Sequence, residues 1–401
     1  MEYSTLKPWQ EVGETGIIYD IDSLYGRFQH ICDPRGAKGK RYSLVMLLVV
    51  IFLAKLVGKD KPEEIADWAK NHAAELAELL KLERMWMPSH STIRRVFHTI
   101  LDEAEFDRMA QEYQQQEQST EGEVLAMDGK TLRGTRMAGQ ERGEHILSIY
   151  EAQGQCALAQ QAVDRQENEI AAAARALEQV SLAGKIVTGD AMHAQTAASQ
   201  QIVTGGGDYL WPVKENQPRL YADIQRLFAP DQPKPGFGKI ETDFLTVHKT
   251  NYGHGRLEKR AIQTSAMLND YLDWPAVGQV YRLEREFFWL RQGKIYKTSR
   301  EIEFGITSLS REKAPPAKVL QVRRKHWSVE TSLHYRRDVT FHEDATRMTM
   351  GASGLILATV HNLVIALIKR AGYANAAKAR RHFEGHLDDA FRLLITTLCH
   401  S

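Results

Sequence analysis

Two apolar runs in this chain each stop on an aspartate, and no other feature restricts the fold as much. Val124–Asp128 reads VLAMD and is followed by Gly129, while Ile186–Asp190 reads IVTGD. Short apolar runs bounded by glycine read as buried strands. HILSIYEA and CALAQQAV follow the first run as two more strands, and Glu169–Val180 (EIAAAARALEQV) is an amphipathic, alanine-rich helix. After the second run come a helical stretch, Gln195–Val203, and a further strand, DYLWPVK. The order strand, strand, strand, helix, strand, helix, strand describes a mixed α/β layer rather than a repeating βαβ barrel. Polar residues at the carboxyl edge of such a sheet are where sites gather. Taken singly, either aspartate could simply start a turn. If the two strands are neighbours, the carboxylates repel each other unless a cation or a shared proton intervenes. Mg²⁺ held by oxygen ligands is the natural answer. A site for two ions then needs a third carboxylate from elsewhere in the chain.

The flanking regions differ from this layer. Residues 1–118 read as helical: the run Leu44–Val57 (LVMLLVVIFLAKLV), a helix opened by Pro62-Glu63-Glu64, and a segment behind Ser89-His90-Ser91-Thr92. Serine or threonine ahead of an amphipathic run is a good N-cap. The short helix carrying Arg94 and Arg95 fits either a helix-turn-helix recognition helix or a plain bundle with two surface arginines. The run Leu44–Val57 contains Lys55 and is shorter than the roughly 20 residues a membrane span needs, so a buried core helix is expected. Glu112–Glu121 reads as a linker. Residues 216–310, with a Pro/Gly-rich bridge at Pro230–Gly238, carry the strand-like runs KIETDFLTVHKT, RLEKRAIQTSA, QVYRLEREFFWL and KIYKTSREIEFGITSL. They read as a mostly β insertion. Past Pro315-Pro316 the pattern turns helical, and Gly354–Ile368 is apolar nearly all round, as a buried helix would be.

Charge and cysteine content narrow the class. The chain of 401 residues holds 52 Lys+Arg against 51 Asp+Glu, but the ends differ. Residues 1–120 carry 15 basic and 19 acidic side chains, whereas residues 311–401 carry 15 and 8. A basic C-terminal quarter suits nucleic acid or a solvated surface. Cys32, Cys156 and Cys399 are far apart with no CxxC pair, so neither a disulfide framework nor a zinc ribbon is expected. With no signal peptide or membrane span in view, a cytoplasmic protein is expected.

The third carboxylate is sought in RRKHWSVETSLHYRRDVTFHEDATR. On a regular helix Arg323, His326, Glu330, His334 and Arg337 share one face. An acid among bases suits a site for metal and phosphodiester; a salt-bridged surface helix is the plainer alternative. Glu258, Asp338, Glu343 and Asp344 are competing acids, but Glu330 sits on a helix, which holds a metal ligand better than a loop does.

DGKTLRGTR, TGDAMHAQ, YLWPVKENQ, HGRLEKR and HWSVETSLHYRRDVTFHEDATR together resemble the signatures of bacterial insertion-sequence DDE transposases, in the group that includes the H-repeat-associated proteins. The resemblance runs from about Asp33 to the C-terminal tail. It implies an α/β fold: an RNase H-like mixed-sheet catalytic core interrupted by the β insertion, with an N-terminal helical domain. The expected division is 1–118 for the helical transposase-associated domain, 119–215 and 311–370 for the two parts of the core, 216–310 for the insertion, and 371–401 for a basic tail. Asp128 matches the family's first acid, Asp190 its second and Glu330 its third, with separations of 62 and 140 residues. Relatives commonly place a Tyr, an Arg and a Lys around the third acid; here Arg323, His326 and Arg337 stand in those places.

The implied activity is metal-dependent cleavage and strand transfer at the ends of an insertion sequence. In-line displacement uses two cations about 3.5–4 Å apart, here Mg²⁺ or Mn²⁺. Asp128 would bridge both, Asp190 would hold one and Glu330 the other. Water is the first nucleophile and the freed 3′ hydroxyl the second. Lys130, Arg133, Lys214 and Arg337 are candidates for phosphate contact, with Arg323, His326, Arg94 and Arg95 added from their segments. Arg256 joins them through the alternating strip His254-Arg256-Glu258-Arg260, which equally suits a salt-bridged strand. The implied partners are double-stranded DNA, as terminal inverted repeats and target, and a second copy of the chain in a homodimer. A metal-dependent nuclease on the same core and an idle DNA-binding remnant are the rival readings. His193 reads as a site neighbour or a packed ring, and His361-Asn362 as a buried hydrogen-bonded pair. His382 and His386 lack a third zinc ligand, and no GxxxxGK[ST] loop is present, which argues against an ATP-driven enzyme.

Overall fold

The computed structural model describes residues 7–115, 123–229, 241–253, 255–327 and 329–397. The centre of the expected linker, the Pro230–Gly238 bridge, His254 and Cys399 lie outside the described residues.

A small ribbon, β1 (Gln10–Val12) and β2 (Ile18–Asp20), precedes α1 (Leu24–Phe28), α2 (Leu44–Leu56), α3 (Pro62–Asn71), α4 (Ala73–Leu79), α5 (His90–Arg95) and α6 (Glu103–Gln115). Ser23, Ser43 and Ser89 each cap a helix by accepting a backbone N–H, which satisfies donors that have no partner in the first turn. The layer expected from the aspartate runs follows as β3 (Val124–Leu132), β4 (Glu144–Glu151), β5 (Cys156–Val163), α7 (Glu169–Glu178), β6 (Ile186–Thr188), α8 (Thr196–Thr204), β7 (Asp208–Val213) and α9 (Pro218–Leu227). Then come four long strands, β8 (Leu245–Gly253), β9 (Arg256–Ser265), β10 (Gln279–Arg291) and β11 (Lys294–Thr307). The chain closes with α10 (Pro316–His326), two π-helical turns at Val329–His334 and Arg336–Thr340, α11 (Ser353–Arg370), α12 (Ala376–Gly385) and α13 (Leu387–Ile395).

Nine strands form one sheet in the order β5-β4-β3-β6-β7-β11-β10-β9-β8. β3, β4 and β5 run antiparallel, and β3, β6 and β7 run parallel. Order and direction of these five strands make an RNase H-like mixed sheet. The insertion does not build a separate sheet: Phe304–Thr307 of β11 pair antiparallel with Leu210–Val213 of β7 and extend the core sheet sideways. The far strands leave the core, because β8 is exposed along nearly its whole length and the first half of β11 is mostly exposed.

Alternation along the strands sorts the two faces. Leu125, Met127, Val187, Tyr209 and Trp211 pack under α7, α8 and α9. Val124, Ile186 and Leu210 face the other way, onto Val319, Leu320 and Val322 of α10. A third core joins the N-terminal helices to Ala126, α11, α12 and α13. Residues 376–395, expected within a basic tail, are thus two packed helices whose apolar faces (Ala379, Phe383, Ala390, Phe391, Leu394) are buried. α2 is buried on almost every side, as its composition suggests. Of the described helices, Ser353–Arg370 alone is long and apolar enough to cross a membrane, and 89% of it is buried inside the protein.

Inside this third core, acids and bases form one continuous hydrogen-bonded chain. Lys55 Nζ donates to His361 Nε2 at 2.8 Å, and His361 Nδ1 donates to Glu343 at 2.8 Å. Glu343 receives the Arg337 guanidinium at 2.8 to 3.0 Å. Lys55 also donates to the Asp60 carbonyl at 2.8 Å, and Asp60 accepts from Arg380 at 2.7 Å. Burial favours the neutral forms of the bases: it lowers the pKa of Lys55 to about 8 and that of His361 to about 4. Burial alone would raise the Glu343 carboxyl, yet Arg337 and His361 hold it well below the carboxylate range. His361 and Asn362, which interrupt an apolar helix, are therefore buried and hydrogen-bonded, Asn362 donating to Gln160 at 3.1 Å.

Candidate active site

β3 and β6 are parallel neighbours, paired Val124↔Ile186, Leu125↔Val187 and Ala126↔Thr188. Two residues further along each chain stand Asp128 and Asp190. The register therefore carries both carboxylates to the same edge of the sheet at the same level. Asp128 is held within β3, because that strand continues to Leu132 on β4 alone. Asp190 lies just past β6, where it opens the 3₁₀ turn Ala191–His193. Their exposures differ: the Asp128 side chain is 18% exposed and that of Asp190 is 61% exposed.

The segment after α10 crosses this edge. His326, the last residue of α10, places Nε2 at 3.5 Å from Asp190 Oδ1. His334, at the end of the first π turn, places Nδ1 at 3.2 Å from Asp128 Oδ2. Asp128 Oδ1 accepts the Gly129 N–H at 3.0 Å. Glu330 lies four residues from each histidine, between the two points where this segment meets the aspartates, and is exposed. No ion pair meets it among the described residues. The His326 ring, with Arg323 further off, holds the Asp190 carboxyl below its ordinary value against the opposing effect of burial.

The competing acids are all engaged elsewhere. Glu258 pairs with Arg260 on the same strand, and Asp338 with Lys130 at 2.5 Å. Glu343 sits in the buried chain, and Asp344 approaches Arg133 at 3.7 Å.

Oxygen-rich donors such as these suit a hard divalent cation, so Asp128, Asp190 and Glu330 fit one in chemistry. Among the described residues, no group of three or more His, Cys, Asp or Glu is gathered in a metal-holding arrangement. Each aspartate instead turns one oxygen to a histidine. His326 Nδ1 and His334 Nε2 are buried with no partner.

Four residues expected to contact DNA, Arg323, Arg337, His326 and Lys130, are buried in this structure. Arg323 is 5% exposed and Arg337 fully buried; each grips a carboxylate with two nitrogens, Glu303 and Glu343 respectively. His326 is 1% exposed and Lys130 is 8% exposed, the latter tied to Asp338. A buried charge demands an opposite charge, and the protein supplies it. The shared helical face is lost for a geometric reason: regular helix ends at His326, and the π turns beyond it are wider than 3.6 residues. Arg133, Lys214, Arg256 and Arg95 are exposed. Arg94 is exposed but paired with Glu63. Arg256 lies over the Phe287 ring at 5.2 Å. Arg95 lines a cavity of about 710 Å³ together with Arg35, Lys38 and Arg41. Two residues near the edge were not singled out in the sequence. Glu169 and His145 bond each other at 2.7 Å, with the carboxylate under Gly129, and the one signal for Glu169 is an Asn-Glu pair opening α7 at the carboxyl edge of the sheet.

The family described as "Transposase DDE domain" matches residues 119–365, more than half the chain, and the family described as "DDE_Tnp_1-associated" matches residues 25–114. The chain belongs to the DDE transposase family. "Putative transposase YncI" of Escherichia coli O157:H7 is 27% identical over 353 residues, covering 87% of this chain and 88% of that protein. "H repeat-associated putative transposase YhhI" of Escherichia coli K12 is 25% identical over 375 residues, covering 92% and 96%. "Uncharacterized protein in dhlA 3'region" of Xanthobacter autotrophicus is 32% identical over 251 residues, covering 62% and 80%. A solved piggyBac transposase synaptic complex with hairpin DNA overlays with a TM-score of 0.43 at 11% identity, covering 93% of this chain and 77% of that one; so distant a likeness adds nothing to the topology. DDE transposases are nucleic-acid-cleaving enzymes that act on DNA and generally use divalent metal ions.

Proposed function

We propose that this DDE transposase cleaves DNA at the ends of an insertion sequence and joins the freed ends to target DNA. The observation that carries the proposal is the register of β3 and β6, which sets Asp128 beside Asp190, with the Glu330 segment touching both aspartates through His334 and His326. Asp128, Asp190 and Glu330 would hold Mg²⁺ or Mn²⁺, two ions, which when bound activate the attacking oxygen and stabilise the leaving one. Without a bound cation the carboxylates would repel a phosphodiester, so their charge makes DNA engagement at this edge depend on the metal. His326 and His334 hold the two aspartates in place before DNA arrives.

DNA contact falls to the exposed basic residues Arg133, Lys214, Arg256, Arg94 and Arg95. The helical unit, residues 1–118, contributes to recognition of the DNA ends, with the cavity lined by Arg35, Lys38, Arg41 and Arg95 as its phosphate-facing part. Its binding weakens steeply with salt as counterions are released. Core parts 119–215 and 311–370 carry the chemistry, the insertion 216–310 extends the sheet along the DNA, and within 371–401 the helices of residues 376–395 brace the N-terminal helices. The protein works in the cytoplasm, on the nucleoid, as a homodimer on double-stranded DNA.

The experiment is cleavage and joining on DNA carrying the element's terminal inverted repeats. Asp128→Asn should abolish both in Mg²⁺ while DNA binding stays the same or tightens, because a charge repelling phosphate is gone. A variant that cuts near the wild-type rate would show that the site is elsewhere. Wild-type cleavage without joining of a pre-cleaved 3′ end would make the protein a nuclease.

A further inference from the structure

Behind the two aspartates, on the opposite face of the sheet, lies a cluster that the proposed chemistry does not use. Asp128 points to the α10 side, so Gly129, next along β3, faces α7 with Leu125 and Met127. The first residue of α7 is Glu169, whose carboxylate lies directly under Gly129. A Cβ at residue 129 would stand 2.5 Å from its carboxyl carbon and from both its oxygens. A larger residue there would push the carboxylate aside. Asn168 caps α7 by accepting from the Ile170 and Ala171 N–H groups. The Glu169 carboxylate is thereby released from capping its own helix and faces the sheet.

Two histidines meet that carboxylate from different elements. His145 of β4 stands opposite Thr131 and pairs with its hydroxyl through Nδ1 at 2.8 Å. Its Nε2–H donates to Glu169 Oε1 at 2.7 Å. His193, 2% exposed and three residues past Asp190, places Nε2 at 3.5 Å from Glu169 Oε2. The His193 ring presses on the backbone just before Asp190, where a Cβ on Gly189 would lie 3.0 Å from its Cδ2. The hydrogen bonds from His145 and then His193 lower the Glu169 pKa to about 2, so the acid is ionised across the working range.

We infer that Glu169 is a positioning residue: with His145 and His193 it forms a clamp behind the sheet that fixes the spacing between Asp128 and Asp190. One side of the carboxylate bears on the residue after Asp128, and the other, through His193, on the residue before Asp190. Short β6 ends at Thr188, so no backbone pairing between β3 and β6 reaches the aspartates themselves. The clamp supplies the missing tie. Metal sites lose affinity when ligands shift by about half an ångström, so the tie is felt as metal binding rather than as DNA binding.

The inference rests on Asp128 and Asp190 being metal ligands, and the test separates the two ideas. Mn²⁺ alone is titrated into full-length protein by calorimetry, for wild type, Asp128→Asn, Glu169→Gln and Gly129→Ala, and thermal midpoints are recorded beside it. Glu169→Gln keeps the shape and loses the charge; Gly129→Ala displaces the carboxylate from the other side. Both should weaken Mn²⁺ binding about tenfold and raise the Mg²⁺ needed for half-maximal cleavage by a similar factor. Affinity for end DNA should stay within twofold of wild type, and cleavage should recover at saturating metal. Wild-type Mn²⁺ affinity in Glu169→Gln, with Asp128→Asn impaired, overturns the clamp and leaves the active site standing. Loss of activity that tracks the thermal midpoint alone also overturns it. Absence of Mn²⁺ binding by the wild type itself removes both.

Discussion

Two clusters of acids and bases are built only one turn apart in the chain, and they are finished differently. At the sheet edge, Asp190 and Glu330 are exposed and Asp128 is partly buried, with a histidine on each aspartate and, among the described residues, no ion pair on Glu330. Within the third core, Arg337, Glu343, His361, Lys55, Asp60 and Arg380 are buried and joined through to one another. The same residue types thus do opposite work. Charges sealed from water are stable only as a complete set, because each member compensates its neighbour's lost hydration. Carboxylates left wet and incompletely paired retain the capacity to take a cation. The buried chain also ties helix α2 near the N-terminus to α11 and α12, so the helical region and the core share one scaffold.

The largest expected effect comes from breaking the sealed cluster. Glu343→Gln leaves the fully buried Arg337 without its charge partner and should cost about 3–5 kcal/mol of stability, read as a fall in the denaturant midpoint. Metal binding by protein that remains folded should be nearly unchanged. A loss below about 1 kcal/mol would mean that this cluster is no more closed than the edge.

Acid should find the same cluster. His361 stays neutral in the folded protein down to about pH 4, whereas an unfolded histidine takes up a proton near 6.5. Between those values the unfolded chain binds more protons, so stability falls as pH is lowered from about 6.5 to about 4. The window corresponds to roughly 3 kcal/mol. Denaturant melts across this range should flatten in His361→Gln. An unchanged slope would place the acid-sensitive group elsewhere.

At the edge the same kind of change should cost less. His334→Ala removes the ring beside Asp128, a pair whose side chains are 13% and 18% exposed, and should cost clearly less stability than Glu343→Gln, which strands a fully buried guanidinium. Its effect should appear in the metal concentration needed for cleavage. A midpoint shift as large as that of Glu343→Gln would erase the distinction between the clusters.

Sequence pattern reveals one of these clusters better than the other. Asp128 and Asp190 are legible because strand ends have a local signature, an apolar run and then a glycine. Glu330 is nominated by its motif and by an expected helix, where the structure has a π turn. Lys55 is visible only as one charge in an apolar run, since its partner His361 lies 306 residues away. Arg323 and Arg337 look like DNA contacts for the same reason: their charge is written in the sequence, but their burial against Glu303 and Glu343 is not. A regular helical period also groups Arg323 through Arg337 on one face, whereas the π turns redirect them. Glu169 escapes notice because an acid in the first turn of a helix is ordinary, and only the folded sheet sets it under Gly129. The strands of the insertion are legible by alternation, but their pairing onto β7 depends on an edge that local pattern does not encode.

The proposed metal site joins Asp128 and Asp190, which strand register aligns, to Glu330, which it does not. Glu330→Gln tests it most directly, by Mg²⁺-dependent cleavage of end DNA with DNA affinity and thermal midpoint measured on the same preparation. The account predicts a cleavage rate at least about a thousandfold below wild type, equivalent to roughly 4 kcal/mol in the barrier, with affinity and midpoint unchanged. Cleavage within a few fold of wild type would contradict it and remove Glu330 from the site.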